Sequence, residues 1–458
     1  MKSITRLLPF LLLGTLLLAV TGCNSKSMAP QMSAASVQFK VGDDPADQAL
    51  AFEITIKSVM LNSSTGSTPN VLSAPVDIEL THLAGTFEPL GLANVSPGTY
   101  NSASITLGPA ELKFLDPNTQ TVKEQQFPAT AGAVTVTFTQ PIVVGSTPTI
   151  VNIDFNLGMA LTFNGTNFTF DPTKITVSQV SIGAENGQGP EDGKMEDLSG
   201  TVTGISGTLP GGSFTISTDE ADSSLMFNTD SNTIFEPSAA AVMVNTIVEV
   251  DATTQADGSF LAKKVKAEVE NDGQGGEMRD QLEVEGVVTT RTPAPPSPVT
   301  SFAIVVQDEA SPGTVMPTPG NTMTVTVSGG TNFRVKLDNL PAGFTFDATS
   351  LNVAQRIEAD TETPDTSMIT AKTVTLKKQA LTGTVSGLSG NNFTLMVDTS
   401  SFFASLTGKT TVAVTTQPGT TINGSLTNAA KARVRGLLFF DPVGGTYSLL
   451  ATQIDINP

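Results

Sequence analysis

The sequence predicts an all-β protein: a β-sandwich-like domain followed by three small β-barrels. Three observations carry this. Charged residues are only 15% of a chain holding 40 Gly and 28 Pro, a balance that suits short strands joined by turns. Apolar residues alternate at period two, as Phe52, Ile54 and Ile56 do against Glu53, Thr55 and Lys57. One ordered set of strand features also recurs three times, opening at Gly200, Gly286 and Gly383.

Residues 1–22 have the layout of a secretory signal peptide. Lys2 and Arg6 form a positive start, and the apolar run from Leu7 to Val20 is broken only by Pro9, Gly14 and Thr15. That run falls short of the roughly 20 apolar residues needed to span a bilayer. Val20-Thr21-Gly22-Cys23 resembles the bacterial lipobox, with Val20 where Leu is more usual. The resemblance implies that Cys23 receives a diacylglycerol and becomes the first residue after cleavage. Cys23 is the only cysteine, so no internal disulfide can form. Residues 23–35 are small and polar and read as a tether.

Residues 36–185 read as the sandwich. After Ile56 the apolar phase slips to Val59 and Leu61, as a bulge would cause. Val76 to Leu80 alternates again, and Ser96-Pro97-Gly98-Thr99 carries type II turn residues ahead of a strand from Tyr100 to Leu107. Alternation returns through Val134, Val136 and Phe138, through Val151, Ile153 and Phe155, and from Phe168 to Val180. No stretch repeats at helical spacing. Residues 186–198 are acidic and Gly-rich and read as a linker.

The repeats are expected at 199–270, 281–379 and 380–458. Each opens on a Gly-led strand: Gly200-Thr201-Val202, Gly286-Val287-Val288, Gly383-Thr384-Val385. Each continues with Phe-x-aliphatic (Phe214, Phe302, Phe393) and then a short Thr-led strand at Thr233, Thr331 and Thr421. A fourth strand follows (246–251, 353–359, 432–436), and the last carries Ala-x-x-aliphatic from Ala262, Ala371 and Ala451. Five short strands in this length fit a small closed or partly open barrel of the OB type. In the first copy Val202, Phe214, Ile216, Ile234, Val248, Val250 and Val265 are the expected core, and Asp272 to Glu277 the expected flexible joint to the second.

On these features the three copies resemble domain-of-unknown-function family 5666, a β-barrel module of secreted and lipid-anchored proteins. The first domain resembles domain-of-unknown-function family 4382, through Asp44-Pro45-Ala46 and Pro97-Gly98-Thr99-Tyr100. Neither resemblance brings a known catalytic residue.

The formal net charge is −19, and loss of Lys2 and Arg6 would make it more negative. Such a surface repels phosphate backbones, so the barrels are not expected to bind nucleic acid. Trp is absent and Tyr100 and Tyr447 are the only tyrosines, which leaves little for base or sugar stacking. His82 is the only histidine and follows a strand, where a satisfied or surface position is the ordinary reading. Zinc needs several Cys or His ligands that this chain lacks. Oxygen-only Ca2+ sites remain open, with Asp43, Asp44 and Asp47 in one loop and Glu191, Asp192, Glu196 and Asp197 in another. Asp272 and Glu277 lie in a third, and none of these has EF-hand spacing.

The expectation is therefore a non-catalytic binding, display or spacer protein of the cell envelope, with no cofactor. It would be held to the membrane by an N-terminal lipid and face an envelope protein or glycan. By analogy with well-studied double-membrane bacteria, Asn24 after the cysteine points to the outer membrane, on its periplasmic or surface face. A solute- or polysaccharide-binding lipoprotein is the alternative among binding proteins, and a carboxylate-dependent hydrolase the alternative among enzymes.

Overall fold

The computed structural model describes residues 35–456 apart from 44–47, 73, 84–86, 117–118, 120, 146–147, 181–193, 219–223, 256, 268–281, 311–316, 336, 338–339 and 362–366. Nearly every described element is a strand. No helix among the described residues is long and apolar enough to cross a membrane.

The first domain packs two sheets face to face. In one, Ala35–Gly42 lies between Phe87–Val95, antiparallel, and Thr149–Asp154, parallel, with Thr176–Val180 at the edge. In the other, the long strands Ala49–Ser63 and Gly98–Leu115 pair centrally, flanked by Val76–Glu79, Val122–Phe127 and Val134–Val144. Val37, Phe39 and Val41 meet Phe52, Ile54, Ile56, Val59 and Leu61 in one buried core. The phase slip has a cause: the pairing of Ala49–Ser63 shifts register on both sides of Ile56. The Tyr100 hydroxyl donates to the Ser96 carbonyl at 2.8 Å and closes the corner at Pro97-Gly98.

The stretch from Phe168 to Val180 is not one strand. The hairpin of Leu161–Phe163 with Phe168–Phe170 comes first, and a 3-10 turn at Pro172–Lys174 then breaks the alternation. Asp171 caps that turn by accepting from the Thr173 amide. The helices Leu157–Ala160 and Phe402–Thr407 are a turn or two long, too short to leave a 3.6-residue period in the sequence.

The second and third repeats are closed five-stranded barrels with strand order 1-2-3-5-4, the Greek-key order of the OB type. The second uses Leu282–Thr292, Ser301–Ala310, Thr322–Val335, Arg356–Thr361 and Met368–Leu376. The third uses Lys378–Ser389, Asn392–Val397, Thr411–Asn423, Lys431–Asp441 and Thr446–Ile456. In the first repeat the third strand is split into Ser224–Asn228 and Ile234–Glu236, and both halves lie parallel to the last strand, Phe260–Ala267. The other copies keep one continuous strand whose register breaks at Val327/Asn332 and Thr416/Thr421. The Thr-led strand read from sequence is thus only the second half of strand three.

Two boundaries and one core residue differ from expectation. The first barrel's opening strand begins at Lys194, inside the expected linker. Met195 and Leu198 are both buried but flank a register shift, and the acidic pair Glu196-Asp197 between them hides the alternation. Lys378 already opens the third barrel. Ile234 is 58% exposed because its segment adds to the outside of the last strand, whereas Val202, Phe214, Ile216, Val248, Val250 and Val265 form the core. The joint expected at Asp272 to Glu277 lies outside the described residues.

The second and third barrels are separate closed units but not independent ones. Leu437, Phe439 and Leu450 of the third barrel complete the core cluster of the second. Phe344 and Phe439 meet edge to face at 4.9 Å. Leu50, Ala51 and Leu115 of the sandwich pack with Val287 and Val305 of the second barrel.

Candidate functional site

Several buried charged side chains, Glu79, His82, Glu249, Glu285, Arg356, Glu358 and Lys377 among them, lie where the sandwich, the first barrel and the second barrel meet. Glu79 ends the strand Val76–Glu79, and its carboxylate organises the 3-10 turn Thr81–Leu83. One oxygen accepts from the Phe52 amide (2.6 Å), the Thr81 amide (3.0 Å) and the Thr81 hydroxyl (2.7 Å); the other accepts from the His82 amide (2.9 Å). The turn fixes the His82 ring between two carboxylates. Nδ1 lies 3.2 Å from Glu79 Oε2, and Nε2 lies 3.3 Å from Glu88 Oε1. His82 is buried, so the satisfied strand-end reading fits it.

The second barrel reaches this turn with two side chains, and a third lies within electrostatic range. Gln307 donates through Nε2 to the Thr81 hydroxyl (2.7 Å) and the Leu50 carbonyl (2.9 Å). Arg356 donates to the His82 carbonyl at 2.8 Å and pairs with Glu285 at 2.7 Å. Asp308, beside Gln307, feels the charges of His82, Glu285, Glu88 and Arg356. Burial pushes its carboxyl up to about 7, with His82 and Arg356 opposing and Glu285 and Glu88 adding to the rise.

A second group of charges follows. Glu285 and Glu358 are direct cross-strand partners, as are Glu283 and Asp360. Like charges placed opposite each other destabilise a sheet unless neutralised. Lys377 supplies the neutralising charge: its ammonium pairs with Glu285, lies 2.9 Å from Glu358 and reaches Glu249 of the first barrel at 3.7 Å. Lys266 of the first barrel lies 3.6 Å from Glu249 and 3.7 Å from Glu358. Burial works against the Glu285 charge, but Lys377 and Arg356 outweigh it and hold its carboxyl below the usual range. Two hydrogen bonds extend these contacts. The Thr254 hydroxyl of the first barrel donates to Gln38 at 3.0 Å, and Ser199 to Glu283 at 3.1 Å.

Glu283, Glu358 and Asp360 bring carboxylate oxygens within 4.8 Å of one another and could in principle hold a hard cation. Lys266 and Lys377 already sit on Glu358, so much of the charge that would attract an ion is balanced. The Ca2+ candidates read from sequence fall elsewhere. Asp43 is buried and accepts from the Leu157 amide at 2.8 Å, which makes it a backbone partner; burial pushes its carboxyl well above the usual range. Asp44, Asp47, Glu191, Asp192, Asp272, Glu277 and Cys23 lie outside the described residues. Glu196 and Asp197 belong to the first barrel's opening strand.

Sequence reasoning missed Glu249, Glu285, Arg356, Glu358 and Lys377. Their signal was present: in Arg356-Ile357-Glu358-Ala359-Asp360 charged and apolar residues alternate, as in a strand with one wet face. The face is covered by a neighbouring domain, which period two cannot reveal.

Residues 34–172 match the family described as domain of unknown function DUF4382, and residues 199–266 match domain of unknown function DUF5666. These are the sandwich and the first barrel. No curated protein matches the chain. Among solved structures, drosophila Unr CSD456 aligns at 10% identity over 56% of this chain and 95% of its own, with a TM-score of 0.14, too low to carry an argument.

Proposed function

We propose that this is a lipid-anchored cell-envelope protein whose sandwich and barrels act together as a non-catalytic binding or display module. The observation that carries the reading is the use made of the buried charges. Lys377 joins Glu249 of the first barrel to Glu285 and Glu358 of the second, and His82 is held between Glu79 and Glu88 with Arg356 on its carbonyl. These groups are spent on holding domains together, whereas a general base needs a reacting partner within reach. The module would face an envelope protein or glycan, since the negative charge disfavours nucleic acid.

The anchor rests on Val20-Thr21-Gly22-Cys23 and the apolar run before it. Acyl chains hold a protein at a membrane through about 0.8 kcal/mol per buried CH2. Detergent phase partitioning of wild type and Cys23→Ser tests it. The wild type should enter the detergent phase, and the variant should stay as unprocessed precursor or appear in the aqueous phase. Equal partitioning of two fully processed proteins would remove the anchor from the account.

A further inference from the structure

We infer that His82 and Asp308 form a proton-operated clasp between the sandwich and the second barrel, closed at mildly acidic to neutral pH and loosened on the alkaline side. The argument begins with the ring. A neutral imidazole carries one N–H and can donate to one carboxylate; only the imidazolium donates to two. Both His82 nitrogens face carboxylates, Glu79 at 3.2 Å and Glu88 at 3.3 Å; the ring and Glu79 are buried, and the Glu88 side chain is 21% exposed. Loss of the proton would turn one of these charge-assisted contacts into a carboxylate set against a ring lone pair, a repulsive arrangement.

The second barrel adds to the same count. Asp308 sits within electrostatic reach of His82, Glu88, Glu285 and Arg356. Arg356 pairs with Glu285 and the His82 carbonyl, and Lys377 with Glu285, Glu358 and Glu249; of these cations His82 is the one whose side chain ordinarily changes charge near neutrality. With the imidazole neutral, Glu88 and Asp308 would repel each other across the junction with no imidazolium to offset them. With the imidazolium present, or with Asp308 protonated, that repulsion falls. Asp308 titrates near 7 in the folded protein against 3.8 ordinarily, so its contribution is present at low pH and is lost as pH rises through about 7.

The clasp can report its state through the backbone. Residues 81 and 82 receive Gln307 and Arg356, so a shift of the 3-10 turn breaks contacts to the second barrel without breaking a strand of either domain.

The test uses the full mature chain. Because His82 is the only histidine, its ring nitrogens can be labelled and read by NMR without assignment ambiguity. At pH 7 both ring nitrogens should show the imidazolium pattern. Hydrogen exchange, corrected for its intrinsic pH dependence, should show loss of protection at 81–83 and 301–310 above neutrality. A single linked proton allows up to about tenfold per pH unit. His82→Gln should flatten that dependence while protection in Thr446–Ile456 stays. Should His82→Gln fail to fold, Asp308→Asn decides: it mimics the protonated acid and should keep the junction protected to higher pH. A neutral ring at pH 7, or a junction equally protected at pH 6 and 9, or unchanged pH dependence in Asp308→Asn, would overturn the clasp.

Discussion

The Thr233 hydroxyl donates to the Ala262 carbonyl at 2.8 Å and accepts from the Asp230 amide at 3.0 Å. Thr331 does the same with Ala371 (2.7 Å) and Ser328 (2.9 Å), and Thr420 with Ala451 (2.7 Å) and Gln417 (2.8 Å). Two repeated features, a threonine and the alanine of Ala-x-x-aliphatic, are therefore the two ends of one hydrogen bond. It pins the break in strand three to the last strand in every barrel. In the third copy the working residue is Thr420, one before Thr421, which leads the short strand in the sequence pattern.

Thr331→Val should destabilise the second barrel by about 0.5–1.5 kcal/mol, chiefly through the lost bond to the Ala371 carbonyl, since the Ser328 amide is exposed to water. Thr331→Ser keeps the hydroxyl and should recover most of that. Urea denaturation of both variants checks it; equal losses would assign the effect to packing.

The opening glycines are fixed by close approach. A Cβ at Gly286 or Gly383 would run into the carbonyl of Val305 or Met396, and one at Gly200 would lie 2.7 Å from the Ser217 carbonyl. Gly286→Ala should cost about 1–3 kcal/mol or more, as overpacking does. Gly204→Ala meets nothing within 4 Å and should stay within about 0.5 kcal/mol of wild type. Paired melting curves separate the two.

A third repeated device was invisible in the sequence. Asn245, Ala354 and Ala429 all have left-handed backbone, with φ of 70°, 67° and 67°. Their amides donate to Val202, Val288 and Val385, the equivalent valines of the three opening strands. Only Asn245 is a residue type that visits this region readily. Ala429→Asn, at an exposed position, should therefore raise stability by up to about 1 kcal/mol. An unchanged or lowered melting temperature would contradict it.

Lys377→Met should leave Glu249, Glu285 and Glu358 facing one another without the ammonium that joins them. Breaking a buried ion pair from one side costs about 3–5 kcal/mol. The loss should shrink on acidification as the stranded carboxylates take up protons. A pH-independent loss would mean that the side chain matters only for its packing.

Overall stability should rise as pH falls from about 7 to 5, below the range in which Lys40, pushed down to about 8 by burial, opposes the trend. Asp308 and Glu53 are pushed up to about 7 and Asp154 to about 6, each chiefly by burial. Their folded values exceed their ordinary ones, so their contributions are present below the ordinary range and are lost as pH rises through 6 to 7. Glu285, held below its ordinary value, works the other way only in acid. Chemical denaturation at pH 5 and pH 7 reads the difference. Asp154→Asn preserves an acceptor for the Asn156 amide and should remove part of the slope.

The all-β class and the opening at Gly200, Gly286 and Gly383 were legible because pleat alternation and close backbone approach constrain residue type directly. The split third strand was not, since Ser224–Asn228 carries only Leu225 and Phe227 as a pattern. The junction was the least legible part. His82, Glu285, Arg356 and Lys377 acquire their surroundings from domains far away in sequence, and no local spacing encodes that encounter.

The measurement that tests the proposed function most directly is the mass of the mature N-terminal peptide from membranes of the native host. The account requires that peptide to begin at Cys23 and to carry a diacylglycerol on its sulfur. An unmodified N-terminus at any other residue would contradict it.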